Sequence, residues 1–260
     1  SRAAQGCVAR NSTVSLIRSL PEEATAVVIG ASGGIGGAFV DALGKDERVA
    51  TVHALSRSGE RAANEVILPG KIDIVDEASI ASAAARCGNG DGVDLVVVAT
   101  GILHRGEIQP EKRMRDLAAA SMSEVMQVNA IGPALVAKHF LPLLRRKGKT
   151  VFAVISARVG SIADNRLGGW ASYRASKAAL NMFLKTLSIE QARTRPETVC
   201  VSLHPGTVDT NLSSPFRSRV AEGKLFAPGY AAERLLTVID GLEPEDSGSF
   251  YAWDGSPIEY

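Results

Sequence analysis

From Ala24 to the carboxyl end, short runs of β-branched and aliphatic residues alternate with longer segments of helical periodicity. The strand-like runs are Ala24 to Ile29, Val49 to Leu55, Val66 to Ile72, Leu95 to Ala99, Val151 to Ile155, Val199 to Leu203 and Ser249 to Trp253. Helical stretches cover Ala38 to Leu43, Glu77 to Arg86, Ser121 to Arg146, Trp170 to Arg193 and Ala231 to Ile239. Strands that alternate with helices imply a parallel sheet covered on both faces. The expected class is therefore α/β: one doubly wound domain over residues 24–260, with a mostly parallel seven-stranded sheet and helices on both faces. No internal repeat and no long linker calls for a second domain.

Composition narrows the function classes. With 45% apolar and 22% charged residues, the 260-residue chain can form a sizeable core. Twenty-nine Lys and Arg stand against 28 Asp and Glu, a net charge of +1, which gives no electrostatic reason to expect nucleic acid. The three cysteines, Cys7, Cys87 and Cys200, form no C-x-x-C pair, and the four histidines lack metal-ligand spacing, so no metal is expected and a reducing compartment fits. The apolar runs are too short to span a bilayer. Residues 1–23 read as an amino-terminal extension. Its first 20 residues carry Arg2, Arg10 and Arg18 without any Asp or Glu, the composition of a transit-segment remnant. A cytoplasmic location is expected, with an organelle matrix or stroma as the alternative.

In a doubly wound sheet, ligands sit beyond the carboxyl ends of the strands, which directs attention to the loop after the first one. It reads Gly30-Ala31-Ser32-Gly33-Gly34-Ile35-Gly36. Glycines permit the tight turn, and backbone N–H groups at the start of the next helix attract a pyrophosphate, as in a Rossmann dinucleotide site. Gly30, Ser32, Gly34, Ile35 and Gly36 are the candidate contacts. The same letters satisfy G-x-S-x-G, the nucleophile elbow of α/β-hydrolases, with Ser32 as nucleophile. That alternative needs an upstream strand and loop to supply an oxyanion hole, and only residues 1–23 precede this strand. The second strand ends at Ser56-Arg57, where a carboxylate would favour NAD and an arginine the extra phosphate of NADP. Arg57 favours NADP, with NAD as the alternative.

Tyr173 and Lys177 are four residues apart in a helical stretch and so share a face. Bringing a phenol from a pKa of about 10 to about 7 requires about 4 kcal/mol. A cation about 4 Å away supplies about that at an effective dielectric of about 20. The pair is thus a feasible proton donor and its activator.

In combination, Gly30-x-x-x-Gly34-x-Gly36, Asp73, Asn129, Tyr173-x-x-x-Lys177 and Pro205-Gly206 resemble the short-chain dehydrogenase/reductase family. The resemblance runs from Ala24 onward. Gly168-Gly169-Trp170, the run from Tyr173 to Asn181, His204 to Thr210, and Trp253-Asp254-Gly255 look like its C-factor-like and sniffer-like carbonyl reductase subgroup. The resemblance implies an oxidoreductase that moves a hydride between NADP(H) and a carbonyl or alcohol, with Tyr173 as general acid/base. It implies that Lys177 lowers the pKa of Tyr173 and binds the nicotinamide ribose, and that Asn129 interrupts its helix and holds a water relaying protons to Lys177. Asp73 and Ile74 would contact adenine, Thr100 and Gly101 would line the cofactor, and Pro205, Gly206, Val208 and Thr210 would hold the nicotinamide end.

Two departures stand out. Ala99-Thr100-Gly101 replaces the commoner Asn-Ala-Gly, and Ile155-Ser156-Ala157 puts alanine where the substrate-orienting serine often stands. Ser156 becomes the candidate for that role, with Ser161 or a backbone N–H as substitutes. These departures also motivate a second reading, a dinucleotide sensor or signalling protein with little turnover. Residues 210–225, with Pro215, Phe216 and Leu225, fall where a lid over a small carbonyl substrate would lie. Pairing through the long helices into a homodimer or homotetramer stays open.

Overall fold

The computed structural model describes residues 15–215 and 223–260. Residues 1–14, which carry Cys7 and most of the expected targeting segment, lie outside the described residues, as does Phe216 of the expected lid.

Seven strands form one wholly parallel sheet: β1 (Ala24–Ile29), β2 (Val49–Ser56), β3 (Ile67–Lys71), β4 (Leu95–Val98), β5 (Thr150–Ile155), β6 (Thr198–His204) and, after two short strands named below, β9 (Ser249–Ala252). Their order is β3-β2-β1-β4-β5-β6-β9. The chain builds outward from β1 to β3 and then crosses back to place β4 on the other side of β1. That reversal opens a crevice beyond the carboxyl ends of β1 and β4. Leu-Val-Val-Val in β4 and all of β5 are buried, as strands covered on both faces must be.

The helices are α1 (Gly34–Leu43), α2 (Glu77–Cys87), α3 (Ala119–Met126), α4 (Gly132–Phe140), α5 (Ala171–Thr194) and α6 (Pro228–Gly241). On one face, Phe39, Val40 and Leu43 of α1 and Leu235, Leu236 and Ile239 of α6 pack on Val28, Val97 and Val201. On the other, Ile80 of α2, Val136 and Phe140 of α4, and Leu180 and Leu184 of α5 pack on Val27, Val96 and Phe152. This is the doubly wound Rossmann architecture.

The structure departs from the sequence reading in three places. The stretch from Ser121 to Arg146 is not one helix: a π-helical turn, Gln127–Ile131, separates α3 from α4 at Asn129, where the resemblance implied an interruption, and Pro142 lies in the short turn that ends the segment. Two-residue strands, β7 (Thr207–Val208) and β8 (Leu225–Phe226), pair outside the main sheet. The last part of the 1–23 stretch is built into the fold, because Ile17 and Leu20 are buried in the core under α1 and α6. Ser15 Oγ and Leu16 N donate to the Asp46 carboxylate at 2.8 and 2.6 Å, and Ser19 N donates to Asp240 at 2.6 Å.

Candidate active site at the carboxyl edge of the sheet

The glycine loop owes its shape to two close approaches. Gly30 has φ 95°, and a Cβ there would lie 2.8 Å from the Ala99 carbonyl oxygen; a Cβ on Gly36 would lie 2.2 Å from the Gly30 oxygen. Gly30 N and Ala31 N both donate to Leu55 O, and Gly33 N donates to Gly30 O, closing the turn. Ser32, Gly33 and Gly34 are exposed, and no side chain caps α1. Its first N–H groups therefore face the crevice, where they suit an anion. Next to Gly30, at the end of β4, the Thr100 hydroxyl oxygen is buried without a hydrogen-bond partner. These features fit a dinucleotide: an exposed, donor-lined turn and a polar group with capacity to spare.

Arg57 follows β2 with its side chain exposed, beside the loop that Leu55 anchors. A second arginine, which the sequence reading missed, touches the loop itself. Arg61 donates to Ala31 O and Gly37 O, each at 3.2 Å, and pairs with Asp41. Asp73 shapes the turn after β3, its Oδ1 accepting from Val75 N at 3.1 Å while its own N–H donates to Ser79 Oγ. Ile74 is buried, and its carbonyl oxygen lies where a Cβ on Gly132 would be 2.7 Å away.

Across the crevice, α5 brings Tyr173 (7% exposed) and Lys177 (3%) to one face. Lys177 Nζ donates to Ile155 O at 2.9 Å and lies over the Tyr173 ring, 5.9 Å from its centroid. Asn129, inside the π-helical turn, accepts from Ile102 N at 2.7 Å and donates to Ile102 O at 2.8 Å and to Ser176 Oγ at 3.0 Å. A Cβ on Gly101 would lie 3.4 Å from both Asn129 Oδ1 and Lys177 Nζ. Tyr173, Lys177, Asn129 and Gly101 thus form one cluster. Burial pushes the Tyr173 phenol up and lowers the Lys177 ammonium to about 8, desolvation being the cause in both.

Ser156 follows the last residue of β5 with its hydroxyl buried and donating to Asn181 Oδ1 at 2.8 Å, one helical turn beyond Lys177. Around it, Asn181 Nδ2, Ser202 Oγ and His204 Nδ1 are buried without partners. The β5–β6 register ends at Ile155 opposite Leu203, and Ser156 N donates to Leu203 O, so Ser156 and His204 leave the sheet at the same edge. Ser161, the substitute, is also buried, its Oγ accepting from Asp164 N at 3.0 Å.

Beyond β6, Pro205 is buried and Gly206 has φ 76°, where a Cβ would strike the Phe226 ring at 2.6 Å. Val208 is buried in β7 and pairs with Phe226. Thr210 comes back over the start of α1: a Cβ on Gly34 would lie 2.6 Å from its methyl carbon. His104 Nε2, from the loop after β4, reaches Asn211 O at 3.1 Å. Glycine loop, central cluster and this strap therefore enclose one crevice. Among the described residues no group of His, Cys, Asp and Glu is arranged to hold a metal, and no helix is long and apolar enough to cross a membrane.

Known proteins bear on this geometry. A family model for short chain dehydrogenases matches residues 24–221. C-signal of Myxococcus xanthus is 39% identical over 146 residues, 56% of this chain and 82% of its own. The 1-hydroxy-2-glutathionyl-2-methyl-3-butene dehydrogenase of Rhodococcus sp. strain AD45 is 30% identical over 238 residues, 91% of this chain and 99% of its own. Among solved structures, the NADPH-bound carbonyl reductase from chicken fatty liver superposes with a TM-score of 0.81 at 27% identity, covering 95% of this chain and 100% of that one. The carbonyl reductase Sniffer of D. melanogaster shares the fold, with a TM-score of 0.77 at 24% identity over 92% of this chain and 100% of that one. Since the family model spans every strand of the main sheet except the last, this chain belongs to the short-chain dehydrogenase family of oxidoreductases.

Proposed function

We propose that the protein is an NADP(H)-dependent carbonyl reductase or alcohol dehydrogenase acting on a small carbonyl or alcohol. The observation that carries this reading is the joint burial of Tyr173 and Lys177 on one face of α5, opposite an uncapped helix start suited to a pyrophosphate. NADPH, when bound, supplies the hydride. Tyr173 gives its proton to the substrate oxygen; burial keeps the phenol protonated at neutral pH, the form a reduction needs. Lys177, charged below about 8, offers a cation at the same spot, and Asn129 holds the neighbouring loop through Ile102. Arg57 and Arg61 beside the glycine loop support NADP over NAD, as does the NADPH-bound chicken relative.

The test is loss of reduced-nicotinamide absorbance on mixing the protein with NADPH and a panel of carbonyls. We expect turnover that Tyr173→Phe lowers by at least about 100-fold, in line with general acid catalysis. Unchanged turnover in that variant would refute the assignment. One observation favours a second reading, a dinucleotide sensor with little turnover: position 157 is alanine and the neighbouring Ser156 hydroxyl is committed to Asn181. Thermal stabilisation by NADPH without turnover on any carbonyl would select it.

A further inference from the structure

We propose that Glu111 is a positioning residue for Tyr173, clamping the first turn of α5 to the loop that leaves β4. The inference rests on the reading of Tyr173 as proton donor and extends it to the means by which the phenol is held.

Tyr173 stands at the third position of α5, in the turn where a helix has no internal acceptors for its N–H groups and frays most readily. The residue before the helix provides no cap. Trp170 has φ 54° and ψ 41°, and its side chain caps nothing. It follows Gly168 and Gly169, with φ 63° and 67°, so three successive left-handed residues lead into the helix. For a non-glycine such as Trp170 that conformation is strained and persists only where its surroundings impose it.

Glu111 imposes it from 61 residues upstream. Its carboxylate accepts from Ser172 N at 3.3 Å and from the Ser172 hydroxyl, and its backbone oxygen accepts from Trp170 N at 2.6 Å. Glu111 is 7% exposed, a costly place for a carboxylate unless hydrogen bonds and the positive end of a helix compensate it, and both are present. From the other side Arg174 donates to Gly169 O at 2.9 Å and Gly168 O at 3.1 Å. Trp170, pinned by these contacts, sets its ring edge-on to Tyr173 with centroids 6.4 Å apart.

The loop that carries Glu111 is held at its near end by the same cluster. Ile102 is gripped by Asn129 through both its N–H and its carbonyl, and Gly101 lies against Lys177. The span from Gly101 to Glu111 therefore touches the cofactor side of the crevice at one end and the base of the phenol at the other. A shift of about 1 Å at a reacting group can lower turnover about 100-fold, so fixing this turn has a kinetic consequence separate from overall stability.

The experiment compares wild type, Glu111→Ala and Glu111→Gln by three readouts: kcat on a carbonyl the wild type reduces, NADPH affinity by fluorescence titration, and backbone hydrogen exchange along α5. We expect Glu111→Ala to lower kcat about 100-fold with NADPH affinity within about twofold. Exchange should rise at residues 172–174 and stay unchanged from Leu180 onward. Glu111→Gln keeps one acceptor oxygen and should recover at least about tenfold of the lost kcat; should Glu111→Ala fail to fold, an intermediate kcat with local exchange at 172–174 in Glu111→Gln supports the proposal by itself. Unchanged exchange at 172–174, unchanged kcat, or equal losses of NADPH affinity and of protection along all of α5 would each overturn it. A wild type inert on every carbonyl would instead count against Tyr173 as proton donor, while the exchange measurement would still decide whether the clamp exists.

Discussion

The Ser156 hydroxyl donates to Asn181, and Ala157 presents only a methyl group. Ser156→Ala should therefore leave turnover within about twofold and lower stability by about 1–3 kcal/mol, as Asn181 loses a donor. A tenfold fall in turnover with an unchanged melting temperature would return Ser156 to the substrate. Lys177 yields a pH-dependent expectation. Burial lowers its ammonium from the ordinary 10.5 to about 8, so the native state carries a penalty at neutral pH that fades as pH rises from about 8 towards 10.5. The penalty is about 3 kcal/mol, from an ammonium lowered from 10.5 to about 8. Lys177→Met should be inactive yet melt above wild type at pH 7, and the gap should narrow by pH 10. A gap that is constant in melts at both pH values would contradict this origin. Tyr173 and Lys177 were legible because their relation is local, a spacing of four on one helix. Glu111 was not, since its partner Ser172 lies 61 residues away and no local pattern links them. Spacing says nothing about burial, which the structure adds for both side chains.

At the level of elements, the glycine loop and α1 are fitted to each other through contacts with no side chain between them. Gly36→Ala would put a carbon 2.2 Å from the Gly30 oxygen and force backbone to move. We expect a loss of at least about 1–3 kcal/mol of stability, as for overpacked sites, together with weaker NADPH binding. Calorimetric melting and a fluorescence titration check the two halves; normal values for both would mean that the turn is looser than described. The inner strands were readable because burial on both faces turns them into apolar runs, β4 and β5 most clearly. The break between α3 and α4 was hidden from periodicity, because Val128 and Ala130 in the π-helical turn remain buried and continue the apolar pattern. Strands of two residues, such as β7 and β8, are too short to have a period at all.

For the molecule as a whole, one sheet, two covering layers and a crevice at the reversal of strand order follow from the alternation visible in the sequence. The segment before β1 did not, because its apolar residues Ile17 and Leu20 are too sparse to suggest a packed element. Ile17→Ala should cost about 2–5 kcal/mol, as for other fully buried large aliphatic residues. Denaturant unfolding measures it, and a loss below about 0.5 kcal/mol would show that this segment packs only loosely. The segment's contacts also have a consequence for synthesis. Ser19 is held by Lys149 and Asp240, and Ile17 and Leu20 share their core with Leu235, Leu236 and Ile239 of α6. A nascent polypeptide leaving the ribosome can lay these two greasy residues against Phe39, Val40 and Leu43 early, but their cover is completed only once α6 has emerged.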